Sequence, residues 1–431
     1  MICKHYDHKN NADTNSCGGC GRNIVQTSAS RKKIFLYTTA CLLILALSVG
    51  ILISKDSPAP VIKQVLPMKD GSVTVLYSDG IVRVSGNSAL SDAVSGWKNV
   101  EKLYYDTKYE WTDTGSYSET VLLGLTGDGT LLTTNGTLSD WTNIKEIHVT
   151  YQSTIGITQD GNVLMEGDAW DDPDAQAALS AMTDVETLIC SDLCGYLCLK
   201  KDGTVYCIME YGYPEYCVKL WDNVKEIRCS GHAFYAIRND GTVVHEMDSV
   251  SCFNLTNAVK IVHYNDNLFG LSADGRLLTH DGGNIYTNTG DMVVKRGGSP
   301  FYGGEVDVNQ FNQVKDIFSC WGLILLNQDG TATAIGEYPT WDLSSWNNIQ
   351  TVKGCYAFDN YLLYGIREDG SVIRNQYNLY KDTQITTDHY RSWNLKDIYV
   401  CSENGAVGLT SEGKLVGDGL YDYLDFTVFD R

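Results

Sequence analysis

The sequence is poor in proline and in positive charge. Its 431 residues contain 7 prolines, and 33 Lys and Arg stand against 53 Asp and Glu, which gives a formal net charge of -20. Because 43% of the residues are hydrophobic, the chain can build a substantial core, and a mainly disordered protein is excluded. Nucleic acid is not an expected partner, because contacts with phosphate groups need a positive surface.

Short motifs of the common enzyme families are also missing. The sequence has no H-E-x-x-H zinc pair, no G-x-S-x-G elbow and no phosphate-binding loop. The aspartates between 168 and 174 lack the spacing of a calcium loop, and Asp172-Pro173 predicts the start of a short helix. No reaction is predicted from these residues, although a catalytic site assembled from distant loops would leave no such motif.

One segment is long and apolar. Residues 34–53 contain no charge over 20 consecutive positions, which is enough for a helix to cross a bilayer. Arg31, Lys32 and Lys33 directly precede this segment, so the positive-inside rule puts residues 1–33 in the cytoplasm and the remainder outside the cell. The sequence therefore predicts a single-pass membrane protein with a large extracellular domain.

Two other interpretations of this segment fit less well. A cleaved signal peptide usually has an apolar core of about 7–15 residues, and the segment is longer. A lipid anchor on Cys41 would need that cysteine at the end of the apolar run, whereas it lies in the middle. The predicted organisation is a cytoplasmic head at 1–24, a basic linker at 25–33, the transmembrane helix at 34–53, a linker at 54–60 and a repeat domain at 61–431.

The head contains cysteine and histidine at spacings typical of a structural zinc site. Cys17 and Cys20 form a C-x2-C knuckle, and Cys3 begins a second knuckle in which Tyr6 stands where a cysteine is expected. The segment resembles the short zinc ribbons of bacterial proteins, which implies a closed and non-catalytic zinc site. The predicted ligands are Cys3, His8, Cys17 and Cys20, with His5 as the alternative to His8. A metal-free tail is the other interpretation.

An acid-glycine pair recurs about every 42 residues along the rest of the chain. An aliphatic residue stands three positions before each acid and an apolar residue two positions after each glycine, which predicts two strands joined in a hairpin. A small residue such as Gly124 or Gly156 lies within the first of these strands, which predicts that another backbone passes close to it. The acids of the nine pairs are Asp79, Asp128, Asp160, Asp202, Asp240, Asp274, Asp329, Asp369 and Glu412.

A further strand precedes each hairpin and contains a run of the Val-Lys-Glu-Ile type. Trp97, Trp141, Trp221 and Trp346 come before this strand in four of the copies. We expect an aromatic side chain at this point to fill the seam between neighbouring units. Three or four short antiparallel strands repeated at this period are what a blade of a β-propeller requires. The predicted fold is therefore all-β, a β-propeller of seven to nine blades.

The combined pattern, W-x-N-V-K-x-I followed by G-x-x-x-D-G-x-V, resembles the regulator-of-chromosome-condensation repeat family and its bacterial, alpha-tubulin-suppressor-like branch. The resemblance covers residues 61–431. It implies a propeller, and it implies protein partners because members of the family bind proteins. Those members usually have seven blades, whereas this chain has nine units. One larger ring and a seven-bladed ring with extra units are both compatible with the sequence.

Ten cysteines follow the apolar segment. Five of them occupy the end of the same repeated strand, which predicts small buried residues with free thiols. These five are Cys190, Cys229, Cys320, Cys355 and Cys401. The alternative is a set of disulfides, because an even number of cysteines in an extracellular domain is typical of bridges. The cysteines from 190 to 217 are the part of the chain where bridges are most expected.

Three stretches depart from the repeat and are rich in aromatic residues. They span 104–118, 280–312 and 377–393 and are predicted to be irregular loops. Aromatic side chains among small polar neighbours suit the recognition of proteins or sugars, and a plain solvent-exposed connector is the alternative. The candidate contact residues are Tyr105, Tyr109, Trp111, Tyr117, Tyr286, Phe301, Tyr302, Tyr380 and Tyr390.

The sequence thus predicts a non-catalytic, membrane-anchored extracellular scaffold that recognises a protein or a surface polysaccharide through the rim of a propeller. The alternative is an envelope enzyme that acts on glycans with acidic residues at the propeller channel. Such an enzyme needs two carboxyl groups about 5–10 Å apart. Nucleotide exchange on a small GTPase would need the propeller in the cytoplasm. Signalling between the propeller and the zinc head would need both ends to act together.

Overall fold

The computed structural model describes most of the chain after residue 58. The described residues are 59–112, 115–138, 140–150, 153–167, 173–191, 195–208, 217–230, 233–245, 255, 258–264, 267–279, 285–286, 293–296, 299–302, 305–306, 310–320, 322–336, 341–378, 380–401 and 403–430. They belong, apart from Ala59, to one compact unit, Pro60–Arg431. The head with the predicted zinc ligands Cys3, His8, Cys17 and Cys20 lies outside the described residues, as does the apolar segment at 34–53.

The first half of this unit consists of five small antiparallel sheets, in which strands that follow one another along the chain are paired. The first three sheets contain β1 Ile62–Pro67, β2 Val73–Tyr77 and β3 Val82–Ser85; then β4 Val100–Thr112, β5 Gly115–Thr126 and β6 Leu131–Thr133; then β7 Ile144–Val149, β8 Ser153–Thr158 and β9 Val163–Gly167. The fourth and fifth contain β10 Val185–Ser191, β11 Gly195–Lys200, β12 Val205–Ile208 and β13 Cys217–Trp221; then β14 Val224–Ser230, β15 Ala233–Arg238 and β16 Val243–His245.

Four more sheets follow in the second half, together with one two-stranded pair. The sixth sheet contains β17 Ala258–Tyr264, β18 Asn267–Ser272 and β19 Leu277–Thr279, and the pair joins β20 Ile285–Tyr286 with β23 Glu305–Val306. The seventh contains β21 Val293–Arg296, β22 Ser299–Tyr302, β24 Val314–Ser319, β25 Leu323–Asn327 and β26 Ala332–Gly336. The eighth and ninth contain β27 Ile349–Ala357, β28 Asn360–Arg367, β29 Val372–Asn378 and β30 Thr383–Thr387; then β31 Leu395–Cys401, β32 Gly405–Thr410 and β33 Leu415–Gly419.

Helices in the described part of the chain are short and lie between or after the sheets. The α-helices described there are α1 Ser88–Val94 and α2 Pro173–Ser180, the latter at the place that Asp172-Pro173 predicts. Two described 3-10 helices, η1 Leu420–Tyr423 and η2 Phe426–Phe429, follow the last strand.

The predicted membrane anchor is corrected by the structure. No helix in the described part of the chain is long and apolar enough to cross a membrane. A spanning helix needs about 20 apolar residues, whereas α1 and α2 have 7 and 8 residues. The segment at 34–53 itself is outside the described residues. The predicted single-pass localisation, with the cytoplasmic and extracellular sides that depend on it, is therefore wrong.

The core of the unit is divided among the seams between neighbouring sheets. Nine clusters of buried apolar residues each combine side chains of two consecutive sheets, or of the last and the first. The cluster of the last seam packs Val65 and Val75 of the first sheet against Val407 and Leu409 of the ninth. Sheets that pack in order and end where they began are consistent with the predicted all-β propeller.

The acid-glycine hairpins are confirmed, and their sequence has a clear physical reason. Gly129 has a φ of +81°, a conformation that glycine adopts without strain. Oδ1 of Asp128 accepts hydrogen bonds from the hydroxyl of Thr126 and from the backbone N–H of Thr130, which fixes the turn. The carbonyl oxygen of Gly129 then accepts the N–H of Ile144 at 2.9 Å. The turn of the second sheet is therefore attached to the first strand of the third.

Seven hairpin glycines accept such a bond from the sheet that follows. The seven donor and acceptor pairs are Val100 to Gly80, Ile144 to Gly129, Val185 to Gly161, Val224 to Gly203, Val314 to Gly275, Ile349 to Gly330 and Leu395 to Gly370. In five cases the residue just before the donor has a positive φ, which asparagine and aspartate tolerate. This explains the Asn of the W-x-N-V pattern; these residues are Asn99, Asn143, Asp184, Asn223 and Asn348.

Tryptophans fill the seams as predicted. Trp141 packs with Leu123 and Leu125 of the second sheet and with Ile147 of the third. The same ring explains the small residue inside the strand, since a Cβ on Gly156 would lie 2.7 Å from Cζ3 of Trp141. The expectation of a passing backbone at Gly124 and Gly156 is therefore wrong. The neighbour is an indole ring, because the tryptophan lies flat against the strand.

Candidate functional site

The three irregular stretches begin at the same edge of the molecule. Successive strands of each sheet are antiparallel, so the turn between the first and second strands lies opposite to the acid-glycine turn. We call the edge that carries the turns at 68–72, 358–359 and 380–382, and the hairpin end at Thr112 and Gly115, the variable rim. The opposite edge, which carries the acid-glycine turns, is called the Asp-Gly rim. The insertion at 280–312 leaves the sixth sheet at Thr279, again toward the variable rim.

The stretch at 104–118 is an extended hairpin and not an irregular loop. Strands β4 and β5 stay paired from Val100↔Thr126 to Thr112↔Gly115, well beyond the third strand of this sheet. Alternating backbone pairing continues there because nothing in the segment breaks it, and the segment contains no proline. Tyr105 at its base is half-buried and packs against the seam of the first and second sheets. Tyr109, Trp111 and Tyr117 lie on the paired strands, and their side chains are outside the described part.

The insertion at 280–312 also forms strands where it is described. Tyr286 pairs with Glu305 in the two-stranded pair, and Phe301 and Tyr302 lie on β22. Strand β21 joins the seventh sheet by pairing with β26, so the insertion widens that sheet at its outer edge. The side chains of Tyr286, Phe301 and Tyr302 are outside the described residues.

The stretch at 377–393 contains the fourth strand of the eighth sheet. Residues Arg374–Asn378 pair with Thr383–Thr387, and the turn between them carries Tyr380 on the variable rim. Tyr380 is 81% exposed, as expected for a contact residue. Tyr390, by contrast, is 9% exposed and is held inside the molecule. Tyr390 is buried and not exposed as predicted, because it packs between two arginines and the ninth sheet.

Tyr390 belongs to a buried polar cluster between the eighth and ninth sheets. The carboxylate of Asp418 accepts the hydroxyl groups of Tyr364 and Tyr390 at 2.6 and 2.8 Å. Nη1 of Arg374 lies 3.1 Å from the same carboxylate, and its guanidinium carbon lies 3.9 Å from the ring centroid of Tyr390. Burial raises the pKa of Asp418, but these hydroxyl groups, together with Arg374 and Arg391, hold it below its ordinary value. The carboxylate of Asp418 thus joins two sheets, whereas Nε of Arg374 is buried without a hydrogen-bond partner among the described residues.

An aromatic patch on the variable rim lies outside the predicted contact residues. Tyr356 and Tyr361 face each other across the β27–β28 hairpin with ring centroids 5.5 Å apart, and Phe358 at the turn is 53% exposed. The backbone N–H of Glu403 in the ninth sheet donates to the carbonyl of Tyr356 at 2.5 Å, which braces this turn. We call Tyr356, Phe358, Tyr361 and Tyr380 the rim patch. Phe358 has a φ of +51°, a conformation that is uncommon for a bulky residue.

The centre of the unit is polar. The residue before the closing apolar position of each first strand is polar in all nine sheets. These residues are Gln64, Lys102, Glu146, Thr187, Glu226, Lys260, Asp316, Thr351 and Asp397. Several of them join neighbouring sheets: Glu146 accepts from Thr187 at 3.0 Å, and Nζ of Lys260 lies 2.6 Å from Asp316. Neighbouring first strands contact each other, so these residues follow the inner side of the sheets.

A cavity of about 600 Å³ lies among the first strands of the fifth to ninth sheets. Arg228, Lys260 and Lys353 line it together with Glu226. Among the described residues of this lining, Glu226 is the one carboxylate. The pair of carboxyl groups that a glycan-active enzyme would need is therefore not formed by those residues.

Cysteines in the described part are unbridged. No disulfide bridge is formed by Cys190, Cys198, Cys207, Cys229, Cys320, Cys355 or Cys401. Burial raises the pKa of the Cys320 thiol to about 11 and that of Cys355 to about 12. These thiols stay protonated near neutral pH. Of the five repeated cysteines, Cys355 and Cys401 are buried as predicted, whereas Cys190, Cys229 and Cys320 are partly exposed. No group of three or more metal-ligating side chains occurs within the described ranges.

Comparisons with known proteins give distant structural likenesses. No family model and no curated protein matches the sequence. The computationally designed Ika8 protein is 11% identical with a TM-score of 0.34, and the match covers 84% of this chain and 96% of that one. Prp20p from Saccharomyces cerevisiae, described with its binding to Gsp1p and histones, is 13% identical with a TM-score of 0.34, over 63% of this chain and 84% of that one.

A second structure of the yeast protein, RCC1 (Prp20) bound to Kap60, is 12% identical with a TM-score of 0.30, over 64% of this chain and 70% of that one. It belongs to the family that the repeats resemble. Likenesses at these identities and TM-scores carry no conclusion about what this protein binds.

Proposed function

We propose that residues 61–431 form a nine-bladed propeller that acts as a non-catalytic scaffold and binds a protein partner through the variable rim. One observation carries the proposal: the described ends of the stretches at 104–118 and 280–312, and the Tyr380 turn of the stretch at 377–393, lie on that rim, and the rim patch lies there too. The Asp-Gly rim is made of nearly identical turns, whose groups are used in bonds between sheets. A specific partner can be distinguished by the irregular edge, whereas the repeated edge offers the same groups many times.

The rim patch has the composition of a protein-binding surface. Tyrosine and phenylalanine supply large contact areas at a low cost in side-chain entropy, and they are enriched in interface cores. Phe358 and Tyr380 are 53% and 81% exposed, and they lie on adjacent turns of one sheet. An exposed pair on a braced turn is available without rearrangement, which favours a preformed contact surface.

A glycan-active enzyme is the weaker candidate. The described lining of the central cavity brings one carboxylate, Glu226, together with three cations. An oxocarbenium-like transition state is positive and would be opposed by those cations.

The test is site-specific photo-crosslinking with the full chain in its native cells. A photoreactive phenylalanine analogue replaces Tyr380 or Phe358 on the variable rim, and Glu412, an exposed residue of the Asp-Gly rim, is the matched control position. We expect a discrete protein adduct from the first two positions and none from the third. Equal adducts from both rims would contradict the assignment to the variable rim. Adducts that contain carbohydrate and resist protease would show that the partner is a polysaccharide and not a protein.

A further inference from the structure

The central cavity is a second candidate site, independent of the variable rim. We propose that it binds a small organic anion, with one carboxylate or phosphate group on an apolar or aromatic body. The cavity has a volume of about 600 Å³, within the range of about 300–1,000 Å³ that is usual for small-molecule sites. Five sheets contribute to its walls, so its shape is fixed by strand backbones rather than by a loop.

Its walls are suited to the apolar part of such a ligand. Val262 and Val400 are partly exposed and lie in the lining with Phe318, and Val259 at the wall is 64% exposed. A ligand body that packs against these side chains would remove that apolar surface from water.

The charge in the cavity selects the sign of the ligand. Arg228 contacts Glu226, and Nζ of Lys260 lies 2.6 Å from Oδ1 of Asp316, so two of the cations already have a carboxylate partner. Lys353 lines the cavity and forms no ion pair with any carboxylate in the described ranges. The site thus keeps one uncompensated positive charge, in a chain with a formal net charge of -20. A single anionic group placed near Lys353 would balance it, whereas a cation would be repelled.

Polar groups beside Lys353 could orient that anion. The hydroxyl of Ser319 and the thiol of Cys320 line the same wall, and Gly354 leaves space next to Lys353. A Cβ on Gly354 would lie 3.0 Å from Cβ of Cys320, so a larger side chain there would push into this wall. Sites with apolar walls and a few convergent polar groups are typical of small-molecule binding.

The experiment uses the full chain and a fluorescent probe, 8-anilinonaphthalene-1-sulfonate, which carries one anionic group on aromatic rings. We expect saturable binding to one class of site, weaker at high salt, and competition by phenyl phosphate and phenylacetate but not by benzylamine. Lys353→Glu should weaken binding at least about tenfold, and Lys353→Gln, which keeps the size of the side chain, should weaken it less. A comparison of how strongly phenyl phosphate and phenylacetate compete shows whether the site prefers a phosphate or a carboxylate group.

Lys315→Glu is the matched control, because Lys315 is an exposed residue of β24 outside the cavity lining. Thermal unfolding of each variant shows whether its fold is intact. The proposal is overturned if folded Lys353→Glu and Lys353→Gln bind the probe as the unmodified protein does. It is also overturned if Lys315→Glu weakens binding equally, if benzylamine competes as well as the anions, or if no saturable binding occurs. None of these outcomes bears on crosslinking at the variable rim.

Discussion

The hydroxyl group of Tyr364 lies 2.6 Å from Oδ2 of Asp418, and both residues are buried between the eighth and ninth sheets. Tyr364 is on β28 and Asp418 is on β33, so this hydrogen bond joins strands that are 54 positions apart in the chain. Arg374 provides the opposite charge at 3.1 Å. A buried carboxylate with two hydroxyl donors and an arginine is compensated, and removing any one partner leaves the others unsatisfied.

We predict that Asp418→Asn lowers the free energy of unfolding by about 2–4 kcal/mol, because it leaves Arg374 without its buried counter-charge. Chemical denaturation followed by circular dichroism measures this. Asp422→Asn removes the more exposed partner of Arg391 and should cost less than about 1 kcal/mol. Equal losses in the two variants would show that burial of Asp418 does not matter.

The same carboxylate predicts a loss of stability in acid. The pKa of Asp418 is lowered in the folded protein, relative to an unfolded value of about 3.9. Its contribution is therefore fully present above the unfolded pKa and is lost as the pH falls through the lower folded pKa. We expect the difference in unfolding free energy between the unmodified protein and Asp418→Asn to be constant at neutral pH and to shrink below about pH 4. A difference that grows in acid would contradict the direction of the shift.

Two glycines allow the cost of conformational strain to be measured apart from the cost of crowding between sheets. Gly129 and Gly413 have the same φ of +81° and the same place in an acid-glycine turn. A Cβ on Gly129 would lie 2.9 Å from the backbone of Ile144, whereas Gly413 has no atom within 4 Å of that point. Gly413→Ala should cost about 1 kcal/mol of unfolding free energy through strain alone.

Gly129→Ala should cost more, by about 1–3 kcal/mol, because the second and third sheets must also separate. Thermal or urea unfolding of both variants measures the two losses of unfolding free energy. Equal costs would mean that the close approach between sheets adds nothing.

The glycine beneath a tryptophan gives another prediction. A Cβ on Gly156 would lie 2.7 Å from Cζ3 of Trp141, so Gly156→Ala should lower the unfolding free energy by about 1–3 kcal/mol. Replacing the ring by a smaller side chain in the double variant with Trp141→Leu should make the added methyl group less costly. Gly96→Ala is the control, because nothing lies within 4 Å of its Cβ position. Additive costs in the double variant would argue against a clash with the ring.

Thiol reactivity offers a readout of the folded core. Cys355 is 2% exposed, and burial raises its pKa to about 12. We expect Cys355 to react with a maleimide near neutral pH only when the eighth and ninth sheets separate, because the thiolate is the reactive species. Mass spectrometry of labelled peptides, with and without denaturant, measures this. Rapid labelling of Cys355 in the native protein would contradict its burial.

Much of the fold could be predicted because its determinants are local in sequence. The turn at Asp128-Gly129 and the Asn before each first strand act within a few residues, and the period repeats them. The repeat spacing shows that some group lies close to Gly156, but it does not show whether that group is a backbone or a side chain. The predicted contact with a backbone was therefore wrong. Strand β30 was hidden in an aromatic-rich stretch whose pairing with β29 does not show in composition.

The functional surfaces were harder to predict, because they join distant residues. Tyr356 and Phe358 lie at the end of an ordinary repeat strand, and their neighbour Tyr380 comes from the next hairpin. The burial of Tyr390 depends on Asp418, which only folding brings near. The positive cavity is lined mainly by residues of five first strands, and its charged residues, such as Arg228 and Lys353, do not stand out from the repeat pattern in sequence.

The bond from a hairpin glycine to the following sheet, found at seven of the acid-glycine turns, gives the assembly a polarity, and among the described residues no such bond leaves Gly413. The junction of the ninth sheet with the first depends instead on contacts across the ends of the domain. Nδ2 of Asn404 donates to the carbonyl oxygens of Met68 and Lys69 at 2.9 Å each, and the hydroxyl of Tyr421 donates to Met68 at 2.9 Å. Eight junctions can form as the chain emerges in order, but this one must wait for the last residues. It joins residues that lie 335 to 353 positions apart in the chain, so its closure costs more loop entropy than a junction between consecutive sheets.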